Sequence, residues 1–132
     1  MKAPGTVAPL NGTSERYKLI SSLNYIASEL HPSFGFRFYP IKNPDSDLIP
    51  FREKRIQAKL KYLNDVELKD KSFVIGNSFT IVDSYLYVVL TWLKPEDLVP
   101  YPAVKAYFEG IKNLPIIAEA RAKMASNPAT TA

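Results

Sequence analysis

A single carboxylate, Asp83, stands near the start of the most apolar stretch of the sequence, residues 76–92. A carboxylate in that position can be a catalytic acid or base, or it can begin a helix. Thr80 and Asp83 have the spacing of a capping box, in which the threonine hydroxyl accepts from the backbone of residue 83 and the carboxylate accepts from the backbone of residue 80. The negative charge also meets the positive end of the helix dipole. The pattern therefore favours a structural role for Asp83.

The second candidate is His31, the only histidine in the chain. Asn24 precedes it by seven positions, which places the two side chains within about 20° of each other around a regular helix, with Ser28 between them. The three residues therefore form one polar stripe that can bind a ligand. A simpler interpretation stays open, because the helix dipole alone favours a histidine near a helix C-terminus and Asn24 can be an exposed residue without a role.

The composition excludes several kinds of site. There is no cysteine, so disulfides, thiolate nucleophiles and thiol metal ligands are ruled out, and one histidine is too few for a His-rich metal site. The net charge of +4 is mildly basic, and the densest basic cluster is diluted by Glu53. That cluster consists of Arg52, Lys54, Arg55, Lys59 and Lys61. We interpret it as a solvated helix face, and we expect neither a metal nor a nucleic acid as partner.

His31 and Asn24 lie on a predicted first helix that follows an extended lead-in, residues 1–12. Thr13 or Ser14 can cap this helix. Its apolar positions recur every three or four residues at Ile20, Leu23, Ala27 and Leu30. Pro32 and the glycine three residues later are expected to end or kink it.

A second helix is predicted after the turn-forming residues 43–47. Its apolar face contains Ile56, Leu60 and Leu63, and it continues to about Leu68. Between the two helices lies an aromatic segment that we expect to pack irregularly against them. Its members are Phe34, Phe36, Phe38 and Tyr39.

Asp83 begins a third helix that is apolar on every side from Ile81 to Leu93, so other helices are expected to surround it. Pro95 cannot continue this helix, which is therefore expected to end at Leu93–Lys94. The apolar run is also shorter than the ~20 residues that a membrane-spanning helix needs.

Two further helices are predicted, since Pro102 and Pro115 suit the first turn of a helix. Residues 13–125 would then form one helical domain, and residues 126–132 a flexible tail. The sequence predicts an all-α bundle of about five helices around a central apolar helix.

The residues around Asp83 resemble the buried helix of the C-terminal domain of glutathione transferases. The matching stretch is FTIVDSYL at 79–86, followed by LTW at 90–92. That family places a Ser/Thr-x-x-Asp capping box at this position, after a glycine turn. The resemblance implies a glutathione S-transferase C-terminal-like helical bundle.

The first helix is similar to the corresponding helix of the bacterial beta class of these enzymes. The similarity lies in RYK at 16–18 and LNYIASELH at 23–31, and VAPL at 7–10 is similar to the linker between the two domains. The resemblance covers roughly residues 7–122. It leaves the thioredoxin-like domain unaccounted for, and in the beta class that domain holds most of the glutathione site and a reactive cysteine.

The resemblance also implies roles for residues of the first helix. In the beta class the residue matching His31 lies beside the glutathione sulfur, and the residue matching Asn24 helps to bind the tripeptide. Glu29 matches a position associated with glutathione binding across the dimer. Pro32 stands where the family often has a lysine, and this loss weakens anion binding.

A pocket for a small hydrophobic ligand is a further hypothesis. Phe34, Phe38 and Tyr39 are its main candidates, while Tyr85 and Trp92 on the buried helix are expected to be core residues.

Two functions remain open at this point. The chain can be a binding or dimerisation module without conjugating activity of its own. It can also be the helical half of a glutathione transferase, active only with a thioredoxin-like domain. In both cases we expect a cytoplasmic protein without a cofactor, for which glutathione is a substrate or ligand only. The expected partner is a second copy of the chain or a thioredoxin-like domain.

Overall fold

A computed structural model describes residues 9–125, and these form helices and turns without a strand. The predicted lead-in, apart from residues 9–12, and the predicted tail at 126–132 lie outside the described residues. The α-helices are α1 (Ser14–Tyr25), α2 (His31–Gly35), α3 (Leu48–Tyr62), α4 (Ile81–Leu90), α5 (Pro95–Leu98), α6 (Pro102–Lys112) and α7 (Pro115–Ala125). Two π-helical segments, Ile26–Leu30 and Leu63–Glu67, and a short 3-10 helix, Phe36–Phe38, extend α1, α2 and α3. The all-α prediction is confirmed.

The first helix begins where the sequence predicted, because the Thr13 hydroxyl accepts from the backbone N–H of Arg16 at 3.1 Å. It does not end at Pro32. The chain continues through the first π segment into α2, and the backbone N–H of His31 bonds to the carbonyl of Ile26, five residues back. A proline collides with the carbonyl four residues before it in a regular helix. The wider π turn just before Pro32 locally replaces that regular pattern.

The central helix α4 packs Val82, Leu86 and Val89 into the core, each at most 2% exposed. It ends at Leu90, earlier than predicted, where the Thr91 N–H bonds to the carbonyls of Tyr87 and Val88. The expectation that other helices surround it on every side is wrong for the described residues. Ile81 is 42% and Val88 46% exposed, so part of this apolar helix faces outward.

The structure has one helix more than the five expected when continuous segments are counted together, since α5 is a single turn that the sequence pattern did not reveal. An ion-pair cluster fixes it: Arg37 contacts Asp97 of α5 at 2.5 Å and Glu53 of α3 at 2.5 Å. Hydrogen bonds from the Arg37 guanidinium hold the pKa of both carboxyl groups below the ordinary range. The cluster ties the end of the first helix to α3 and α5.

Candidate functional site

The Asp83 carboxylate lies fully inside the protein, at the start of α4. One carboxylate oxygen accepts from the backbone N–H of Thr80 at 3.0 Å. The other accepts from the backbone N–H of Val74 at 3.0 Å and from the hydroxyl of Tyr107 at 2.7 Å. The Thr80 hydroxyl accepts from the backbone N–H of Val82 at 3.3 Å, and both reciprocal contacts of the predicted capping box between Thr80 and Asp83 are present. Asp83 therefore joins α4, the loop before it and α6.

This carboxylate is closed to substrates, since it is 0% exposed and three donors within the protein occupy it. Its partner Tyr107 is 2% exposed. Burial, together with the charge of Asp83 and the hydrogen bond to it, raises the pKa of the Tyr107 phenol far above its usual range. The phenol thus stays a neutral donor to the carboxylate. The arrangement is suited to holding a helix start and not to chemistry.

His31 lies in a different setting, exposed on the first residue of α2. Its Nδ1 atom is 2.7 Å from the hydroxyl of Tyr85, which reaches it from α4. If Nδ1 is unprotonated, the tyrosine donates to it; if Nδ1 carries the proton, the tyrosine accepts. In either state the hydroxyl fixes the orientation of the ring and leaves Nε2 as the nitrogen for a ligand.

Two further aromatic rings complete the surroundings of His31. The Trp92 ring lies edge-on to it with centroids 5.0 Å apart, and the Phe38 ring lies edge-on to Trp92 at 5.7 Å. Phe38 is 65% exposed. We call His31, Phe38, Tyr85 and Trp92 the aromatic cluster. Gly35 borders it, since a methyl group there would lie 3.6 Å from the Trp92 ring.

The other two predicted glutathione residues are not joined to His31 by hydrogen bonds in the part of the chain described. Asn24 is exposed on α1, and its backbone carbonyl accepts from the Ser28 hydroxyl at 2.7 Å. Glu29 pairs with Lys59 of α3 at 2.9 Å, and this contact lowers the pKa of the Glu29 carboxyl. The π segment between Asn24 and His31 also breaks the regular spacing on which the predicted polar stripe depended.

The predicted pocket aromatics are separated. Phe34 is 0% exposed and belongs to the hydrophobic core, so it does not line an open pocket. Phe38 faces solvent within the aromatic cluster. Tyr39 is 68% exposed and contacts Phe36, with ring centroids 6.2 Å apart.

Sequence reasoning missed the contacts of Tyr85 and Trp92 with His31. Both residues do pack against the core, as expected, but each is only partly buried and turns one edge to the histidine. Their seven-residue spacing, which puts them on one side of a helix, was a usable signal. What the sequence lacked was the crossing of the first helix over α4.

Neither a metal site nor a membrane span is found. Over residues 9–125, no group of three His, Cys, Asp or Glu side chains is placed to hold a metal ion. Within the same range, every helix is too short or too polar to cross a bilayer.

Comparison with known proteins gives one family. The family described as "Glutathione S-transferase, C-terminal domain" matches residues 29–123. A curated relative, glutathione S-transferase GstA of Escherichia coli O157:H7, is 39% identical over 124 residues. That match covers 92% of this chain and 53% of the relative, so the chain spans about half the length of the curated relative it matches.

Solved structures give the same result. A sphingomonad glutathione S-transferase complexed with glutathione is similar with a TM-score of 0.77 and 32% identity, over 92% of this chain and 60% of that one. A bacterial beta class glutathione S-transferase of Sphingomonas chungbukensis is similar with a TM-score of 0.75 and 34% identity, over 89% of this chain and 58% of that one.

Proposed function

Because the chain belongs to the family of glutathione S-transferase C-terminal domains, we propose that it is a binding module of the transferase type. The aromatic cluster is the helical half of its ligand site. The other half of the site, which grips the peptide part of glutathione, comes from a thioredoxin-like domain. The relative solved with glutathione supports the choice of ligand.

The observation that carries this proposal is the exposed histidine ring held by the hydroxyl of Tyr85 at 2.7 Å and flanked by Trp92. The imidazole is held in one orientation, and its second ring nitrogen can form a hydrogen bond with a polar group at the sulfur of the ligand. The flanking rings can contact an apolar group carried on that sulfur, because aromatic edges and faces pack well against one another. The cluster is thus suited to the thioether end of a glutathione conjugate.

Asn24 and Glu29 stay candidates for the peptide end. Asn24 is exposed, and among residues 9–125 no hydrogen bond of its side-chain amide is found; Glu29 is half-buried beside Lys59. If Glu29 contacted the ammonium group of glutathione, its carboxylate would have to share the ion pair with Lys59 or break it. We therefore assign Asn24 the direct contact and Glu29 a role at an interface with a second subunit.

Conjugating activity is not part of the proposal for the chain alone. The beta-class resemblance assigns the reactive cysteine and most of the glutathione site to the thioredoxin-like domain, and this chain contains no cysteine. We expect no conjugation of an aromatic electrophile above background by the purified chain. Turnover that disappears in His31→Ala would contradict this and make the helical domain an enzyme.

Binding can be tested with the chain's own reporter, because Trp92 is its only tryptophan. S-benzylglutathione should quench Trp92 fluorescence more strongly than glutathione does, since only the conjugate carries a ring to the cluster. Tyr85→Phe should weaken this response, while Tyr39→Phe, a matched change outside the cluster, should leave it unchanged. An identical response in both variants, or none in the wild type, would contradict the assigned site.

Self-association is a second proposed function, favoured by the exposed groove beside α3. Phe51, 58% exposed, lines this groove together with Glu29, Lys54, Arg55 and Lys59. A two-fold interface places the same patch on both subunits, so a patch with an apolar residue and both signs of charge can complement itself. We propose a homodimer. A mass of 14.9 kDa by light scattering at micromolar concentration would contradict it.

The cytoplasm is the proposed location, in keeping with a chain that has no cysteine to oxidise.

A further inference from the structure

A cavity of about 160 Å³, open to solvent on one side, lies apart from the aromatic cluster, between the first helix and the end of α3. Its apolar lining consists of Ile26, Leu30, Leu63, Val74 and Leu86, each at most 8% exposed. Apolar cavities of ~150 Å³ hold a single benzene ring in other proteins. The volume therefore fits one six-membered ring.

The mouth of this cavity is polar and acidic. Two tyrosines stand there with ring centroids 5.7 Å apart and planes tilted by 55°: Tyr25 of α1 and Tyr62 of α3. The Tyr62 hydroxyl donates to one oxygen of Glu67 at 3.1 Å, while no hydrogen bond among residues 9–125 is found for the other oxygen. Ser21 and Ser22 complete the rim.

The ionisable groups that act on Tyr25 at the mouth are all acidic. Burial raises the pKa of Tyr25 to about 12, and the further contributions come from Tyr62, Glu29 and Glu67. Lys59 pairs with Glu29, whereas no ion pair of Glu67 is found among residues 9–125. A carboxylate and two tyrosine rings at one cavity mouth favour a cation, through charge-assisted hydrogen bonding and cation–π attraction.

Both π-helical segments contribute to the cavity wall. The first supplies Ile26 and Leu30, and the second supplies Leu63 and Glu67. Pro32 accounts for the first segment, but no proline follows the second before Pro95, a full helix later. Single π turns are frequent at functional sites because they re-aim side chains. The second segment directs Glu67 to the mouth while Leu63 stays in the core.

From the ring-sized apolar interior and the carboxylate and two tyrosines at its mouth, we infer that this cavity is a binding site for a small primary amine with a single apolar ring. The ring occupies the space beside Leu86, and the ammonium group lies at the mouth between Glu67 and the tyrosine rings. The site is independent of the aromatic cluster, since none of its lining residues belongs to that cluster.

Three probes of one shape test the charge preference: benzylamine, benzyl alcohol and benzoate, with a positive, neutral and negative head. Binding is followed at pH 7 by the NMR shifts of Tyr25 and Tyr62 in the full chain. We expect a Kd on the order of 1 mM for benzylamine, as is usual for so small a ligand, about tenfold weaker binding of the alcohol, and none of benzoate. Equal affinities, or shifts confined to His31 and Trp92, would overturn the inference.

Two variants test the location. Glu67→Gln should weaken benzylamine binding about tenfold and leave benzyl alcohol unchanged, whereas Glu109→Gln, an exposed glutamate on α6, should change neither. Ser22→Leu should fill the rim and abolish binding of both ligands, whereas Ser14→Leu at the exposed start of α1 should not. Retained benzylamine affinity in Glu67→Gln would overturn the inference even if the Ser22 variant failed to fold.

Discussion

Asp83 and His31 are each a single titratable side chain near the beginning of a helical segment, and their surroundings are opposite. Asp83 is fully buried, and three donors of the protein itself bond to its two oxygens. His31 is exposed, and one hydroxyl holds one of its ring nitrogens. Burial closes the first group to a ligand, while the second has its other ring nitrogen beside two aromatic rings.

The difference shows how to separate a structural polar group from a binding group within one small protein. A buried charge is tolerated only when its hydrogen bonds are complete, and removing any partner leaves an unpaired group without water to replace it. An exposed ring with one partner contributes little to stability, because water replaces the lost bond. Substitutions at Asp83 should therefore change folding, whereas substitutions around His31 should change binding.

The largest effect is expected from Asp83→Ala. The change leaves the backbone N–H groups of Thr80 and Val74 and the hydroxyl of Tyr107 without an acceptor inside the protein. We expect a loss of about 3–5 kcal/mol in the free energy of unfolding, measured by urea denaturation. Because total stabilities are often only 5–15 kcal/mol, Asp83→Asn, which keeps one acceptor oxygen, serves as the milder variant. A loss of a few tenths of a kcal/mol would refute the structural role.

Thr80→Ala should have the next largest effect. It removes the hydroxyl that accepts from the Val82 N–H but keeps the Thr80 backbone bond to Asp83. A helix cap contributes ~0.5–2 kcal/mol, and the buried position of Thr80, 5% exposed, favours the upper end of that range. Its effect should not add to that of Asp83→Ala, because both act on the same helix start. Strict additivity in the double mutant would show that the two residues work separately.

Tyr107→Phe should cost about 1–2 kcal/mol at pH 7, since Asp83 keeps its two backbone donors. The cost should shrink in alkali. The folded-state pKa of Tyr107 is raised, so the unfolded chain loses this proton first, near pH 10, and the stability it contributes is lost as the pH rises further. The difference between wild type and variant should fall by up to ~1.4 kcal/mol per pH unit above 10. A pH-independent difference would show that the phenol is not held by the carboxylate.

The fold could be predicted from the sequence because its signals are local. The cap at Thr13, the proline at the start of α6 and the apolar run of α4 each act within one or two turns of helix. The sequence pattern could not show the second and third donors to the Asp83 carboxylate, since Val74 and Tyr107 are brought to it only by packing. The π segments were also hidden, because Ile20 and Ala27 fitted a regular helical spacing in the sequence, although both are exposed in the structure.

The site was predicted less completely than the fold. His31 was identified by its uniqueness, but its partner Tyr85 was assigned to the core because an aromatic residue on a buried helix usually packs there. The structure shows both features, with the ring against the core and the hydroxyl on the histidine. Phe34 and Phe38, four residues apart, were grouped as pocket candidates, yet one is 0% and the other 65% exposed. Which side of α2 faces the bundle depends on the π turn before it.

The smallest change in stability is expected from Tyr85→Phe, and this variant tests the comparison most directly. The ring stays packed, and the lost hydroxyl leaves only an exposed histidine nitrogen, which water can bind. We expect a loss of less than about 0.5 kcal/mol in the free energy of unfolding, the usual range for changes at solvent-accessible positions.

The same variant should nevertheless alter the tautomer of His31. This residue is the only histidine and therefore gives one set of ¹⁵N ring signals. In the wild type, the hydrogen bond at Nδ1 should fix one tautomer, and Tyr85→Phe should move the signals toward the mixture of a free imidazole. Tyr39→Phe is the matched control and should leave them unchanged. A loss of several kcal/mol in Tyr85→Phe would mean that the aromatic cluster belongs with Asp83 as a structural device, and unchanged ¹⁵N signals would mean that Tyr85 does not position the histidine.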